Sequence, residues 1–286
     1  MEIAVRANAR LAEGPRWDGA ARRLLWVDIE GCELHVLEAG ADRAIRLDAM
    51  VGVAAPTTGA AVLVALADRL ALVDLGDAAA TTLVPLPHGP GLRSNDGACD
   101  SAGRFWIGTM ALDLTRGAGA LYCYDGELRR VLDGVTLSNG LGWTRDDRGM
   151  YFIDSTEYRV DRFEFDVASG KLDDRRPFVV IEQGDGIPDG LAVDDEGGIW
   201  VALYGGGCLR RYDEGGRLDA VVEVPGRNVT SCCFGGDDGR SLFITTAAPD
   251  GNVYVTEPGV SGPPAHVFHL GGTSTAPSEA EDTSAR

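Results

Sequence analysis

Five stretches of the chain share one form, a Gly or Arg followed by a short run of apolar residues around an aromatic. They are RRLLWVDIE (22–30), GRFWIGTM (103–110), RGMYFIDS (148–155), GGIWVALY (197–204) and GRSLFITTA (239–247). A sixth, GAAVLVALA (59–67), carries Leu63 where the others carry the aromatic. The marker positions Trp26, Leu63, Trp106, Phe152, Trp200 and Phe243 are spaced by 37, 43, 46, 48 and 43 residues. Each run is preceded by a shorter apolar piece. Two further strand-like pieces follow it, separated by Gly- and Asp-rich turns. No twelve-residue stretch has helical periodicity. A period in the forties with four strands per unit is the pattern of propeller blades. The sequence therefore predicts an all-β, six-bladed β-propeller with four antiparallel strands per blade, a single domain over residues 1–270. AHVFHL (265–270) reads as the outermost piece of the last repeat. MEIAVRAN has no repeat of its own and is expected to pair with the last blade and close the ring, protecting its edge. Residues 271–286 have no apolar periodicity and read as a disordered tail.

Composition narrows the function classes. The 286 residues carry a formal net charge of −18, with a single lysine, Lys171, in a polar turn. Nucleic acids and anionic membrane surfaces require a basic footprint, so neither is an expected partner. Schiff-base chemistry has one poorly placed candidate. The six cysteines, at 32, 99, 123, 208, 232 and 233, form no C-x-x-C pair, and most sit in apolar runs, which predicts buried reduced thiols. The longest apolar run, AAVLVALA, is far short of the roughly 18 residues of a membrane span. The N-terminus has no apolar signal core. A cytoplasmic protein, monomeric or weakly dimeric, is expected.

In a propeller the innermost strand of each blade lines a central channel. Residues at the start of those strands meet around one mouth. The equivalent phase, 11 to 13 residues before each marker, holds Glu13, Asn95-Asp96, Asn139, Asp189 and Ser231. The repeat without the aromatic offers only Gly52-Val53. Asn and Asp also favour turns, and Pro188-Asp189-Gly190 is ordinary turn chemistry. Carboxylates gathered around one axis, however, repel one another and are costly to bury unless a cation neutralises them. Glu13, Asn139 and Asp189 supply three oxygen donors from three blades with no Cys or His. That set suits one divalent cation, Ca²⁺ first, with Mg²⁺ and Mn²⁺ close and Zn²⁺ or Fe²⁺ less favoured. Three protein ligands leave positions for water and substrate. Arg93 and Asn95, on a fourth blade, suggest recognition of an oxygen-rich ligand. His88 lies close before Arg93 and can reach the same pocket. There is no Gly-x-Ser-x-Gly elbow, and Ser231 lacks an evident His partner, which disfavours a serine esterase.

The motifs LAEGPRW, RSNDGACDSAGRFWIGTM, LSNGLGW, IPDGLAVDDEGGIWVA and TSCCFGG, in this order, resemble the regucalcin/gluconolactonase family of six-bladed propellers from about Ala9 to Thr246. That family includes calcium-binding regucalcin, bacterial sugar lactonases and luciferin-regenerating enzymes. The resemblance implies metal ligation by Glu13, Asn139 and Asp189, the three residues selected by phase. It also implies substrate binding by Arg93 and Asn95. A third substrate contact falls on Asp113, a shorter side chain than the family's usual Glu. Asp189 is implied as the catalytic residue that helps activate water, and different family enzymes accept different metals. The expected activity is metal-dependent opening of a sugar lactone, such as glucono-1,5-lactone or a pentonolactone, to its acid. The alternatives are a non-catalytic calcium-binding protein, a hydrolase of another ester, lactone or phosphotriester, and a scaffold for protein partners.

Overall fold

The computed structural model describes residues 1–271. The tail expected from residue 271 onward lies, but for its first residue, outside the described residues. After β1 (Glu2–Val5), blade 1 comprises β2 (Ala12–Asp18), β3 (Arg23–Asp28), β4 (Glu33–Glu38) and β5 (Ala41–Arg46). Blade 2 comprises β6 (Val51–Ala55), β7 (Val62–Leu66), β8 (Arg69–Val73) and β9 (Ala80–Pro85). Blade 3 is built from β10 (Leu92–Cys99), β11 (Phe105–Ala111), β12 (Gly119–Tyr124) and β13 (Leu128–Val135). Blade 4 follows with β14 (Ser138–Trp143), β15 (Gly149–Asp154), β16 (Arg159–Asp166) and β17 (Lys171–Val180). Blade 5 has β18 (Ile187–Val193), β19 (Ile199–Tyr204), β20 (Cys208–Tyr212) and β21 (Leu218–Glu223). The last blade has β22 (Val229–Gly235), β23 (Ser241–Thr246) and β24 (Val253–Thr256), and β1 is its fourth strand. All six sheets are antiparallel and four-stranded, as predicted, and the N-terminal strand closes the ring on β24.

The repeated apolar runs are the second strands. Trp26, Leu63, Trp106, Phe152, Trp200 and Phe243 are all buried on them. These strands are covered on both faces by neighbouring blades, so they read as continuous apolar runs rather than as alternation. The core is accordingly divided into six clusters, one in each gap between adjacent blades. The outermost strands face water along most of their length. Consecutive innermost strands touch all the way round, from β2 through β6, β10, β14 and β18 to β22 and back to β2.

The segment AHVFHL departs from its predicted place. β1 already occupies the outer position beside β24, so this segment crosses the lower mouth of the channel, where the innermost strands end. Ala265 N donates to Trp17 O at 3.2 Å, Phe268 N to Pro56 O at 2.8 Å and His269 N to Gly103 O at 3.0 Å, which links the segment to blades 1, 2 and 3. Phe268 is 4% exposed and stacks on Tyr124 at 5.7 Å. Five cysteines are buried, Cys32 is half-buried, and all six are free thiols. Among the described residues, no helix is long and apolar enough to cross a membrane.

Candidate functional site

In every blade the pairing of the first strand with the second slips register at one equivalent place. The slips fall between Glu13 and Arg16, Val51 and Val53, Ser94 and Gly97, Ser138 and Leu141, Pro188 and Leu191, and Val229 and Ser231. A bulge leaves a residue unpaired and re-aims its side chain. Asn95, Asp96, Asn139 and Asp189 all fall inside these slips, and Glu13 sits at the edge of one. Their convergence on the upper mouth is therefore a repeated backbone feature rather than six separate turns. A glycine follows the polar residue and lets the next blade come close. A Cβ on Gly190 would lie 2.1 Å from Ser231 Oγ, and one on Gly140 would lie 2.6 Å from Leu191 N.

Glu13, Asp96, Asn139 and Asp189 are all buried, as are Arg93 and Asn95. Burial, followed by the Asp96 charge, pushes Glu13 up to about 8 against the smaller pull of the Gly14 N–H, Arg93 and Arg16. Asp189 is also held well above the usual carboxylate range by burial, then by Glu13 and Asp96. Burial raises Asp96, opposed by Arg16. Burial pulls the Arg93 guanidinium down, while Glu13, Glu30 and Asp189 push it back up. These mutual influences place three carboxylates and two guanidiniums, Arg93 and Arg16, in a single electrostatic cluster. The Asp189 carboxylate makes no ion pair with a described residue, and its buried Oδ1 has no hydrogen-bond partner. A buried carboxylate oxygen without a donor is costly. A cation beside it, shared with Glu13 and Asn139, would remove that cost and the repulsion together. The donor set therefore fits a divalent cation held by oxygen.

A directed hydrogen-bond chain joins three blades at this mouth. Arg93 Nη1 donates to Asn95 Oδ1 at 2.6 Å. Asn95 Nδ2 donates to Asn139 Oδ1 at 2.7 Å and to Ser138 O at 2.8 Å. Asn139 Nδ2 donates to Ser155 Oγ at 2.8 Å, and Ser155 Oγ donates to Pro188 O at 2.6 Å. Arg93 makes no ion pair among the described residues, and its Nη2 has no protein partner there. Below this level Arg16 pairs with Asp96 at 3.0 Å and donates to Gly97 O at 2.7 Å. Arg16 also lines a separate cavity of about 270 Å³ at the lower mouth, with Trp143, Cys233 and Pro264.

The structure thus brings together five of the six residues expected at the site. The sixth, Asp113, is exposed on the loop after β11, at the same end of blade 3 as Arg93, and its Oδ1 accepts from Thr115 N at 2.9 Å and Oγ1 at 2.7 Å. His88 is half-buried and lines a different hollow with Tyr122, Arg130 and Asp133, outside the carboxylate cluster. Sequence reasoning missed Arg16, Ser155, Glu30 and Tyr204. Tyr204 is half-buried and raised by burial, then by the Asp189 and Glu30 charges. Asp96 carried a signal, since it sits at the same phase as Asn95. Ser155 carried none, because it reaches Asn139 across 16 residues of chain.

Fold and mouth together define a six-bladed propeller whose channel opens on a buried, oxygen-rich, anionic site beside an unpaired arginine. The chain belongs to the family described as the SMP-30/gluconolactonase/LRE-like region, which it matches over residues 11–248. It is 35% identical over 254 residues to regucalcin of Danio rerio, covering 86% of each chain. It is also 35% identical over 255 residues to YvrE of Bacillus subtilis, proposed to be a sugar lactone lactonase, covering 86% of this chain and 87% of that one. Among solved structures, the calcium-binding protein regucalcin of Agrobacterium tumefaciens superposes with a TM-score of 0.90 at 29% identity, covering 94% of this chain and 97% of the other.

Proposed function

We propose that the protein is a divalent-cation-dependent lactonase that opens a sugar lactone to its hydroxy acid. The observation that carries this reading is Asp189 Oδ1, a buried carboxylate oxygen with no partner, placed in one electrostatic cluster with Glu13 and Arg93. Glu13, Asn139 and Asp189 would hold the cation, with Ca²⁺ favoured by the all-oxygen donor set. When bound, the cation supplies Lewis-acid polarisation of the lactone carbonyl and stabilises the charge that develops on its oxygen.

The chain's own residues do the rest. Arg93 offers its unpaired edge to substrate oxygens. Asn95 has both N–H groups committed, so its contribution to substrate is the second lone pair of Oδ1, which can accept from a sugar hydroxyl. These contacts hold the carbonyl carbon near Asp189. Asp189 takes a proton from water as the water oxygen bonds to that carbon. The bond between the acyl carbon and the ring oxygen then breaks. The departing ring oxygen receives the proton back, and the carboxylic acid product ionises into solution. Lactones are activated esters, so a weak base suffices. Asp113, exposed at the rim, can meet a substrate only on its outer side.

The test is proton release from D-glucono-1,5-lactone and several pentonolactones by cation-stripped protein, before and after Ca²⁺, Mn²⁺, Mg²⁺ or Zn²⁺ is restored. Cation-dependent acceleration is expected, and Asp189→Ala should reduce it by about 100-fold or more. Acceleration that survives in Asp189→Ala would reject Asp189 as the base. The likeness to a calcium-binding regucalcin favours one second reading, cation binding without hydrolysis. Tight cation binding with no acceleration on any lactone would select it.

A further inference from the structure

We propose that Ser155 is a positioning residue that fixes the amide of Asn139 so that its oxygen, rather than its nitrogen, serves the cation site. The inference rests on the reading of Asn139 as a cation ligand. The directionality of the hydrogen-bond chain carries it. An asparagine amide has an acceptor end and a donor end of nearly the same shape, so something must choose between them. Here both ends of the chain are committed. Arg93 can only donate, so the atom of Asn95 that faces it at 2.6 Å is the oxygen. The other end of Asn95 must then be its NH₂, which agrees with its second bond, at 2.8 Å, to the carbonyl of Ser138. A donor facing Asn139 at 2.7 Å requires oxygen there.

Ser155 makes the same choice from the opposite side. The carbonyl of Pro188 can only accept, and at 2.6 Å it takes the single proton of the Ser155 hydroxyl. Ser155 Oγ is left as an acceptor, so the atom of Asn139 that faces it at 2.8 Å must be NH₂. Both Ser155 and Asn139 are buried, 0% and 4% exposed, so water is poorly placed to replace either partner. Asn139 Oδ1 keeps one lone pair beyond the bond from Asn95, and a carbonyl oxygen has two. Ser155 also ties blade 4 to the residue directly before Asp189, so one hydroxyl relates two of the three ligand-bearing strands. It comes from a short 3₁₀ turn, Ser155–Glu157, capped by Asp154. Residues that hold a metal ligand in place commonly contribute 10- to 100-fold to metal affinity.

The test measures cation affinity by calorimetry, which reads the same whether or not a lactone is hydrolysed. Ser155→Ala is expected to weaken Ca²⁺ binding by about 10-fold. The discriminating control is Asn139→Asp, whose two carboxylate oxygens are equivalent and need no orientation. In that background Ser155→Ala should cost less than about 3-fold. An equal loss in both backgrounds would make Ser155 a general packing residue and overturn the proposal. No loss in the Asn139 background, or a wild-type protein that binds no divalent cation, would overturn it as well. A wild-type protein that binds Ca²⁺ but opens no lactone would reject only the functional reading. Ser155→Cys, similar in volume but a poor acceptor, gives the same reading should Ser155→Ala fail to fold.

Discussion

At the scale of the residue, two aspartates show how the blades are fastened. Asp100 Oδ2 accepts from Trp106 Nε1 at 2.8 Å and from Arg104 Nε at 2.7 Å. Asp194 Oδ2 accepts from Trp200 Nε1 at 2.9 Å and Arg211 Nε at 2.7 Å, while its Oδ1 takes the N–H groups of Glu196 at 3.0 Å and Gly198 at 2.9 Å. Each carboxylate is fully buried and ties the turn between first and second strands to the marker tryptophan. Asp194→Ala would leave the buried Trp200 N–H and two turn N–H groups without partners. We expect it to destabilise the protein by about 3 kcal/mol, read as a lower urea midpoint, with the activity of the folded fraction unchanged. The Asp-to-Trp spacing is visible in DSAGRFW and DDEGGIW, yet it is the apolar run around the marker, not the aspartate, that announces the repeat. The residues of the proposed cation site were legible because oxygen-bearing types recur at one phase. Ser155 and Arg16 were not, because each acts through a contact made only when distant strands are brought together.

At the scale of the element, the register slip shared by all six innermost strands turns a column of turn residues into a site. Periodicity announces a strand, but it does not announce a bulge within it, so the sequence pointed to residues that meet at one mouth without the reason they face the axis. The C-terminal segment shows the converse. AHVFHL is apolar enough to read as a strand, but β1 takes the edge it would have filled, and a pattern cannot say which of two candidates pairs first. Its buried aromatic still matters. Phe268 joins a cluster drawn from blades 2 and 3, including Leu70, Leu86 and Tyr124. Phe268→Ala should cost about 3 kcal/mol, at the lower end for a buried phenylalanine, because the segment can partly collapse into the space. The measurement is again the urea midpoint. An unchanged midpoint would mean that the segment does not fasten these blades. Cation affinity should be unaffected, since the segment crosses the mouth opposite the carboxylates.

At the scale of the whole molecule, ring closure concentrates negative charge on one axis, and this couples stability to pH and to cations. The period legible in the sequence fixes the blade number, and the blade number decides how many phase residues share the channel. Three of those residues are carboxylates. With a chelator present, Glu13 is held up near 8 in the folded chain against 4.5 as its ordinary value, and Asp189 is raised in the same direction. Between those two limits the folded state binds more protons than the unfolded chain. The contribution of these two groups to stability is therefore fully present below about pH 4.5 and is lost as the pH rises towards 8, with a slope of up to about 1.4 kcal/mol per pH unit for one fully responding group. A divalent cation held at the proposed site would reverse this. It would bind the ionised carboxylates, so its stabilisation would grow as protons leave and follow the logarithm of its concentration over Kd. The increase in Tm produced by 1 mM Ca²⁺ over a chelated control should thus be small at pH 5.5 and large at pH 8. The same experiment on Asp189→Ala should show a weaker dependence on pH even in chelator, because one of the mutually repelling carboxylates is gone. A Ca²⁺ increment that is constant from pH 5.5 to 8 would mean that the cation is not held by these buried carboxylates.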